Sequence, residues 1–308
     1  MIIDNQIGSK KAEILAYFRS RAAERVVDID ATFGAAQSKK RASAFNRAIA
    51  EERDRILALI LQAALRESWS NSTTLPIILL VQYCSSVVMI EGRNAIRPYE
   101  YMDFSRRVGE IWEPLCKKCF DLPVNSNVTY YVPPLFDNVK RRLTEEVENF
   151  IQGLNLSDVE KESLLRYYSQ VWQLVSPGEV NLATDIHVVA ADTRYVIELK
   201  TGFGSNEKGN LNRLLLVASV YRTIEPENYD CLLLVRSTED SNNSYLKTLK
   251  NSGLWRVSCG TEAYEQIGLL SGFNLRAWVE ANVEWTEDLN DATVRHLRDE
   301  SLLTYLDW

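Results

Sequence analysis

Two apolar, β-branched runs around a short polar turn constrain this chain more than any other feature of its 308 residues. Thr184-Asp185-Ile186-His187-Val188-Val189-Ala190 and Tyr195-Val196-Ile197-Glu198-Leu199-Lys200-Thr201 flank Ala191-Asp192-Thr193-Arg194, a pattern that reads as an antiparallel hairpin. A turn centred on Ala191-Asp192 sets Asp185 directly opposite Glu198, where Cβ atoms stand roughly 4.5–5.5 Å apart. Side chains alternate along a strand, so Lys200 shares the face of Glu198 and Asp185. Ile186, Val188, Ile197 and Leu199 turn the other way, towards a core. Two carboxylates opposed across a ladder repel each other, and a shared divalent cation removes that cost. The rival reading, a solvated face of surface ion pairs, leaves it in place. Glu198-Leu199-Lys200 is the only acid-x-Lys triplet in the chain, and it falls in the most strand-like segment.

At these residues the chain resembles the PD-(D/E)XK nuclease superfamily, type II restriction endonucleases in particular. Thr184 stands where that motif has its Pro, so the first half is degenerate. The resemblance implies a Mg²⁺-dependent endonuclease acting on double-stranded DNA, leaving 5′-phosphate and 3′-hydroxyl ends. By it, Asp185, Glu198 and the Leu199 carbonyl are the metal ligands, and Lys200 either orients the attacking water or stabilises the transition state. Upstream, Ser105-Arg106-Arg107-Val108-Gly109-Glu110-Ile111-Trp112-Glu113 is similar to the Arg-x-Gly-x-x-aromatic-Glu helix of many restriction enzymes. That match makes Glu113 the supporting acid, with Glu110 the alternative. The class also implies a homodimer on a palindromic site and a DNA methyltransferase as a genetic partner. A nonspecific repair or defence nuclease and a catalytically silent DNA-binding module are the competing readings. Defined fragments would separate the first from a restriction enzyme; tight binding without cleavage would mark the second.

A net charge of −7 argues against a general nucleic-acid coat but leaves room for local basic patches, which set phosphate contacts. Lys39-Lys40-Arg41 with Arg47 is the favoured DNA-contacting arm. Arg93 with Arg97, Arg106-Arg107 and Lys140-Arg141-Arg142 are the other basic clusters, each by default a solvated face. Lys208, Asn210 and Arg213, just beyond the hairpin, are candidates for holding the scissile strand. His187 shares the face of Asp185 and reads either as a phosphate or metal-water contact or, more commonly, as a hydrogen-bonded strand histidine. Five cysteines give no disulfide framework, and Cys116-Lys117-Lys118-Cys119 lacks the second half of a zinc site. Leu75 to Ile90 is apolar but interrupted by Gln82, Ser85 and Ser86, as in a buried helix; no membrane span is expected. Met1-Ile2-Ile3-Asp4 lacks a basic, then apolar, leader, so the cytoplasm is the expected location.

Helical spacing runs over 9–70, with Ile14, Leu15, Phe18 and Ala22 in one stripe and a second run from Ile49 to Leu65. Asn71 to Pro76 breaks it, with Pro76 suited to the first turn of the next helix. A helix over 102–119, a strand at Val128 to Val132 and two amphipathic helices from Val139 to Val175 precede the hairpin, with Ser176-Pro177-Gly178 closing the last. Gly202 to Asn210 is a glycine-rich loop without the Gly-Lys-Ser/Thr ending of a phosphate loop. A helix from Leu211 to Arg222, an apolar strand Cys231 to Val235, a helix over 244–250, a strand Leu254 to Val257 and a helix from Thr261 to Glu280 follow. This order predicts an α/β (α+β) chain: a central mixed β-sheet flanked by helices, with a large helical N-terminal part at 1–97. The nuclease-like core then spans 98–308, with a helical insertion at about 138–175.

Overall fold

The computed structural model describes residues 10–175, 180–204, 207–224 and 228–307. It opens with four helices, α1 (Lys11–Thr32), α2 (Ser38–Arg66), α3 (Asn71–Ile96) and α4 (Tyr101–Asp121). Strand β1 (Thr129–Tyr130) and the helical pair α5 (Phe136–Gly153) and α6 (Asp158–Val175) lead to the hairpin, β2 (Ile186–Ala190) and β3 (Thr193–Lys200). Next come α7 (Lys208–Ile224), β4 (Tyr229–Val235), α8 (Ser244–Asn251) and β5 (Arg256–Cys259). Helices α9 (Thr261–Ser271), α10 (Leu275–Asn282), α11 (Trp285–Asp288) and α12 (Asp291–Asp299) follow.

The five strands form one mixed sheet in chain order, antiparallel from β1 to β3 and parallel from β3 to β5. Both faces are covered, which is why β4 reads as an unbroken apolar run. Ile186, Val188, Ile197, Leu199, Leu232 and Leu234 share one buried cluster with α1 to α4 and the C-terminal helices. Val196, Cys231, Leu233 and Val235 pack on the other side against Leu214, Val217, Ala218 and Tyr221 of α7.

Helix α3 is the axis of the helical part. It is long and apolar enough to cross a membrane, yet 89% of its most apolar 18-residue window is buried inside the protein. A helix apolar all round is one enclosed on all sides, and α1, α2, α4 and α12 all pack on it. Gly92 permits the closest of these contacts, since a Cβ there would lie 2.0 Å from Cζ of the fully buried Phe45. The C-terminal segment returns to the same bundle through buried polar groups. Asp288 accepts from Tyr83 Oη at 2.7 Å and Lys11 Nζ at 3.0 Å. Glu91 is paired with Arg19 at 2.7 Å and accepts the Asn290 amide at 2.7 Å.

Several elements differ from expectation for local reasons. The helical stretch 9–70 is broken at Phe33 to Gln37, where Gly34 adopts an extended conformation. Helix α3 starts at Asn71 rather than after the polar run, because the Ser70 hydroxyl caps it by accepting the Thr73 amide; Pro76 sits in its second turn. Strand β5 lies two residues later than expected, since Trp255 is used to anchor the loop, donating from Nε1 to Leu214 O at 2.9 Å. The helix expected from Thr261 to Glu280 is two, divided at Gly272, whose φ of 76° ends α9 in a left-handed cap. Phe150 is 68% exposed although it falls on the apolar stripe of α5. The N-terminal Met1 to Asp4, the Ser176-Pro177-Gly178 break and Ser205-Asn206 of the glycine-rich loop lie outside the described residues.

Candidate active site

The hairpin forms in the expected register. Ile186 pairs with Ile197 and Ala190 with Thr193, which extends to Asp185 opposite Glu198 one step beyond the ladder. Ala191 and Asp192 make the turn with φ of 47° and 66°. Two successive left-handed residues form the type I′ geometry that matches strand twist, without the usual Asn-Gly.

Beyond the ladder the Asp185 carboxylate bends back across β3. Its Oδ2 accepts the Leu199 amide at 2.8 Å, and its Oδ1 pairs with Lys117 Nζ of α4 at 2.8 Å. The N–H and C=O of one strand residue point to the same edge, so the Leu199 carbonyl also faces the Asp185 side. Glu198, 3% exposed, is held from two directions: Arg213 of α7 at 2.5 Å and Lys200 at 3.1 Å, both to Oε1. Arg213 is itself positioned by Asn210 Oδ1 at 3.3 Å and Ala183 O at 3.4 Å. Asn210 in turn donates to Glu207 at 2.9 Å. Arg213, read from sequence as a strand-holding cation, is thus the partner of the buried Glu198.

Helix α4 delivers the third acid. It crosses the end of β3 closely enough that a Cβ on Gly109 would lie 3.6 Å from Thr201 Oγ1, an ordinary contact. Burial pushes the Glu113 carboxyl up to about 7, and the negative charge of Asp185 and, less strongly, Glu198 adds to it, while Lys200 and Lys117 oppose it. Those couplings place Glu113 in the field of the hairpin acids. Glu110 instead pairs with its own helix neighbours Arg107 at 3.1 Å and Arg106 at 3.5 Å. Burial works to lower the Lys117 ammonium, but its hydrogen bond to Asp185 and the surrounding acids outweigh that and raise it. Lys117 was not read from sequence as a site residue, although it lies one helical turn after Glu113 on the same stripe.

A cleft of about 550 Å³ opens over this corner, with Glu110, Glu113, Lys200, Thr201, Gly202 and Glu207 among its walls. A neighbouring depression of about 640 Å³ shares Ser105, Thr201, Gly202 and Gly204 with it and extends to Arg236 and Arg276. Lys208 is exposed at the start of α7. Lys39 and Lys40 are exposed in the first turn of α2, and Arg41 is ion-paired to Asp30 of α1.

His187 is enclosed rather than presented to the cleft. The Thr184 amide donates to its Nε2 at 2.9 Å, so the proton sits on Nδ1, which faces Tyr131 Oη at 3.2 Å. Burial pushes the imidazole down to about 4, against the charge of Asp185, and Tyr131 and Tyr221 pack on the ring. It is a neutral strand histidine. Cys116 and Cys119 are buried thiols of α4, pushed up by burial.

As donors, Asp185, Glu198 and the Leu199 carbonyl are all oxygen, the chemistry a hard divalent cation prefers. Their present partners are protein cations, and among the described residues no group of three or more His, Cys, Asp and Glu stands in metal-binding geometry. The set suits the cation by chemistry, and binding it would require Asp185 and Glu198 to exchange Lys117 and Arg213 for the ion. No family model, curated protein or solved structure matches this chain.

Proposed function

We propose that the chain is a Mg²⁺-dependent endonuclease of double-stranded DNA with a PD-(D/E)XK-like core, acting as a sequence-specific, dimeric restriction-type enzyme. The observation that carries this reading is the corner itself: Asp185 set opposite Glu198, Lys200 against Glu198, and Glu113 electrostatically coupled to all three. In this reading Asp185, Glu198 and the Leu199 carbonyl would hold the cation, which would neutralise phosphate charge and acidify a coordinated water. Lys200, 3.1 Å from Glu198, would orient the water or offset developing charge on the phosphate. Glu113, with a carboxyl near 7, can take up a proton at neutral pH from a group in the cleft. Until a cation binds, Arg213 keeps Glu198 in place from the α7 side.

One observation favours a second reading, a catalytically silent DNA-binding module: both hairpin acids are already ion-paired within the protein. The deciding experiment digests long, unmethylated duplex DNA with and without Mg²⁺, beside Asp185→Ala, and sequences the ends. Discrete Mg²⁺-dependent fragments from the wild type alone support a restriction-type enzyme, and a smear supports a nonspecific nuclease. Cleavage retained by purified Asp185→Ala would sink the site. Tight DNA binding without cleavage by the folded wild type would establish the silent module.

A further inference from the structure

Between α2, the end of α3 and α4 lies a second cavity of about 340 Å³, at the small end of the roughly 300–1,000 Å³ typical of ligand pockets. Lys39, Arg93, Arg97, Arg106 and Arg107 line it, against only two carboxylates, Asp103 and Glu110. The wall's own ion pairs leave that excess standing. Asp103 is shared by Arg93 at 2.5 Å and Arg97 at 3.6 Å, and Glu110 by Arg107 and Arg106.

The lining also carries unanswered hydrogen-bonding groups. Tyr99 Oη, Asn46 Oδ1 and Arg107 Nε are buried without a partner in the protein. Buried polar groups are almost always bonded, so three at one cavity point to a partner from outside the chain. Tyr99 is the most telling, being 3% exposed and fixed on every side. Its amide donates to Asn94 Oδ1 at 3.0 Å and its carbonyl accepts from His296 Nε2 at 3.0 Å. Its ring packs edge-on to Phe104 and lies 4.0 Å from the Arg93 guanidinium. The hydroxyl cannot swing away to find water.

We propose that this cavity binds a nucleotide unit through its phosphate. Arginine forks match phosphate oxygens in charge and geometry, and the Tyr99 hydroxyl and Arg107 Nε–H are donors awaiting acceptors. Asn46 Oδ1 needs a donor, which the sugar hydroxyl or base amine of a nucleotide supplies beside the phosphate. The nucleotide has two possible sources of the same chemistry: a free mononucleotide, or a strand running from the adjoining cleft, with which the cavity shares Arg106 and Glu110.

The test uses the full chain without divalent metal, so that it is independent of cleavage. Binding of inorganic phosphate, AMP and dAMP is followed by calorimetry, and of a short labelled duplex by anisotropy, for wild type, Tyr99→Phe and Arg97→Gln. Removing an unpartnered hydroxyl leaves the melting temperature of Tyr99→Phe unchanged or higher, so folding does not confound the comparison. The expected result is a loss of affinity of about tenfold or more in both variants, as for a hydrogen bond or ion pair to a charged group. Loss on the mononucleotides identifies a free nucleotide; loss on the duplex alone identifies a strand phosphate. The proposal is overturned if the variants bind every probe as the wild type does, if only inorganic phosphate binds, or if the wild type binds none at up to about 1 mM.

Discussion

Glu113→Gln should make the protein more stable in alkaline solution while leaving it nearly unchanged in acid. The Glu113 carboxyl is raised from 4.5 to about 7 by burial and by the charge of Asp185. The folded state therefore binds more protons than the unfolded chain between those values, and stability falls as pH rises through that window. At full strength the displacement corresponds to about 3 kcal/mol above pH 7. Glu113 is only partly enclosed, and solvent screening reduces the expected effect to about 1–2 kcal/mol. Gln keeps the shape and removes the ionisation. Urea denaturation of both proteins at pH 5 and pH 8.5 measures the quantity directly. The wild type should lose about 1–2 kcal/mol more than Glu113→Gln between the two pH values. Other groups titrate in both proteins and cancel in the difference. Equal pH dependence in the two would refute the claim that Glu113 sits in the field of the hairpin acids. In a nuclease, saturating Mg²⁺ should also remove most of the difference.

The remaining predictions concern the scaffold. Ala191→Asn with Asp192→Gly places the preferred type I′ pair on φ values of 47° and 66° and should stabilise by about 1 kcal/mol, read as a melting temperature higher by about 2 °C. Gly92→Ala should destabilise by about 1–3 kcal/mol through the collision with Phe45, and adding Phe45→Leu should recover part of the loss. His187, lowered to about 4 by burial, contributes stability that is complete above its unfolded value of about 6.5 and lost as pH falls towards 4. His187→Gln should flatten that acid limb in a denaturation series from pH 7 to pH 4.

The hairpin was legible because its determinants are local. A period-two pattern fixes which face each residue takes, and the turn fixes the register, so Asp185 and Glu198 could be opposed on paper. The architecture followed from the order of helices and strands. What sequence did not reveal was who answers these acids. Lys117 and Arg213 reach them from α4 and α7, two helices on opposite sides of the sheet, and no spacing in the chain records that approach. Lys117 did leave a trace, four residues after Glu113 on the same helical stripe. The missed helix breaks were also visible in principle at Gly34 and Gly272, where a residue with little helical preference stands at the boundary. The cavity at Tyr99 was invisible, since an unsatisfied hydroxyl is defined by what fails to pack around it.

The buried contacts of Asp288 and Glu91 also bear on the order in which the chain can acquire its structure. Tyr83 meets a partner 205 positions later, and Lys11 one 277 positions later. On the ribosome, at roughly 5–20 residues per second, the α3 surface that receives Asp288 must wait about 10–40 s for it. During that interval an apolar helix capable by composition of entering a lipid bilayer is only partly covered. Over that interval α1, α2 and α4, which are synthesised before the rest and pack on α3, are its available cover.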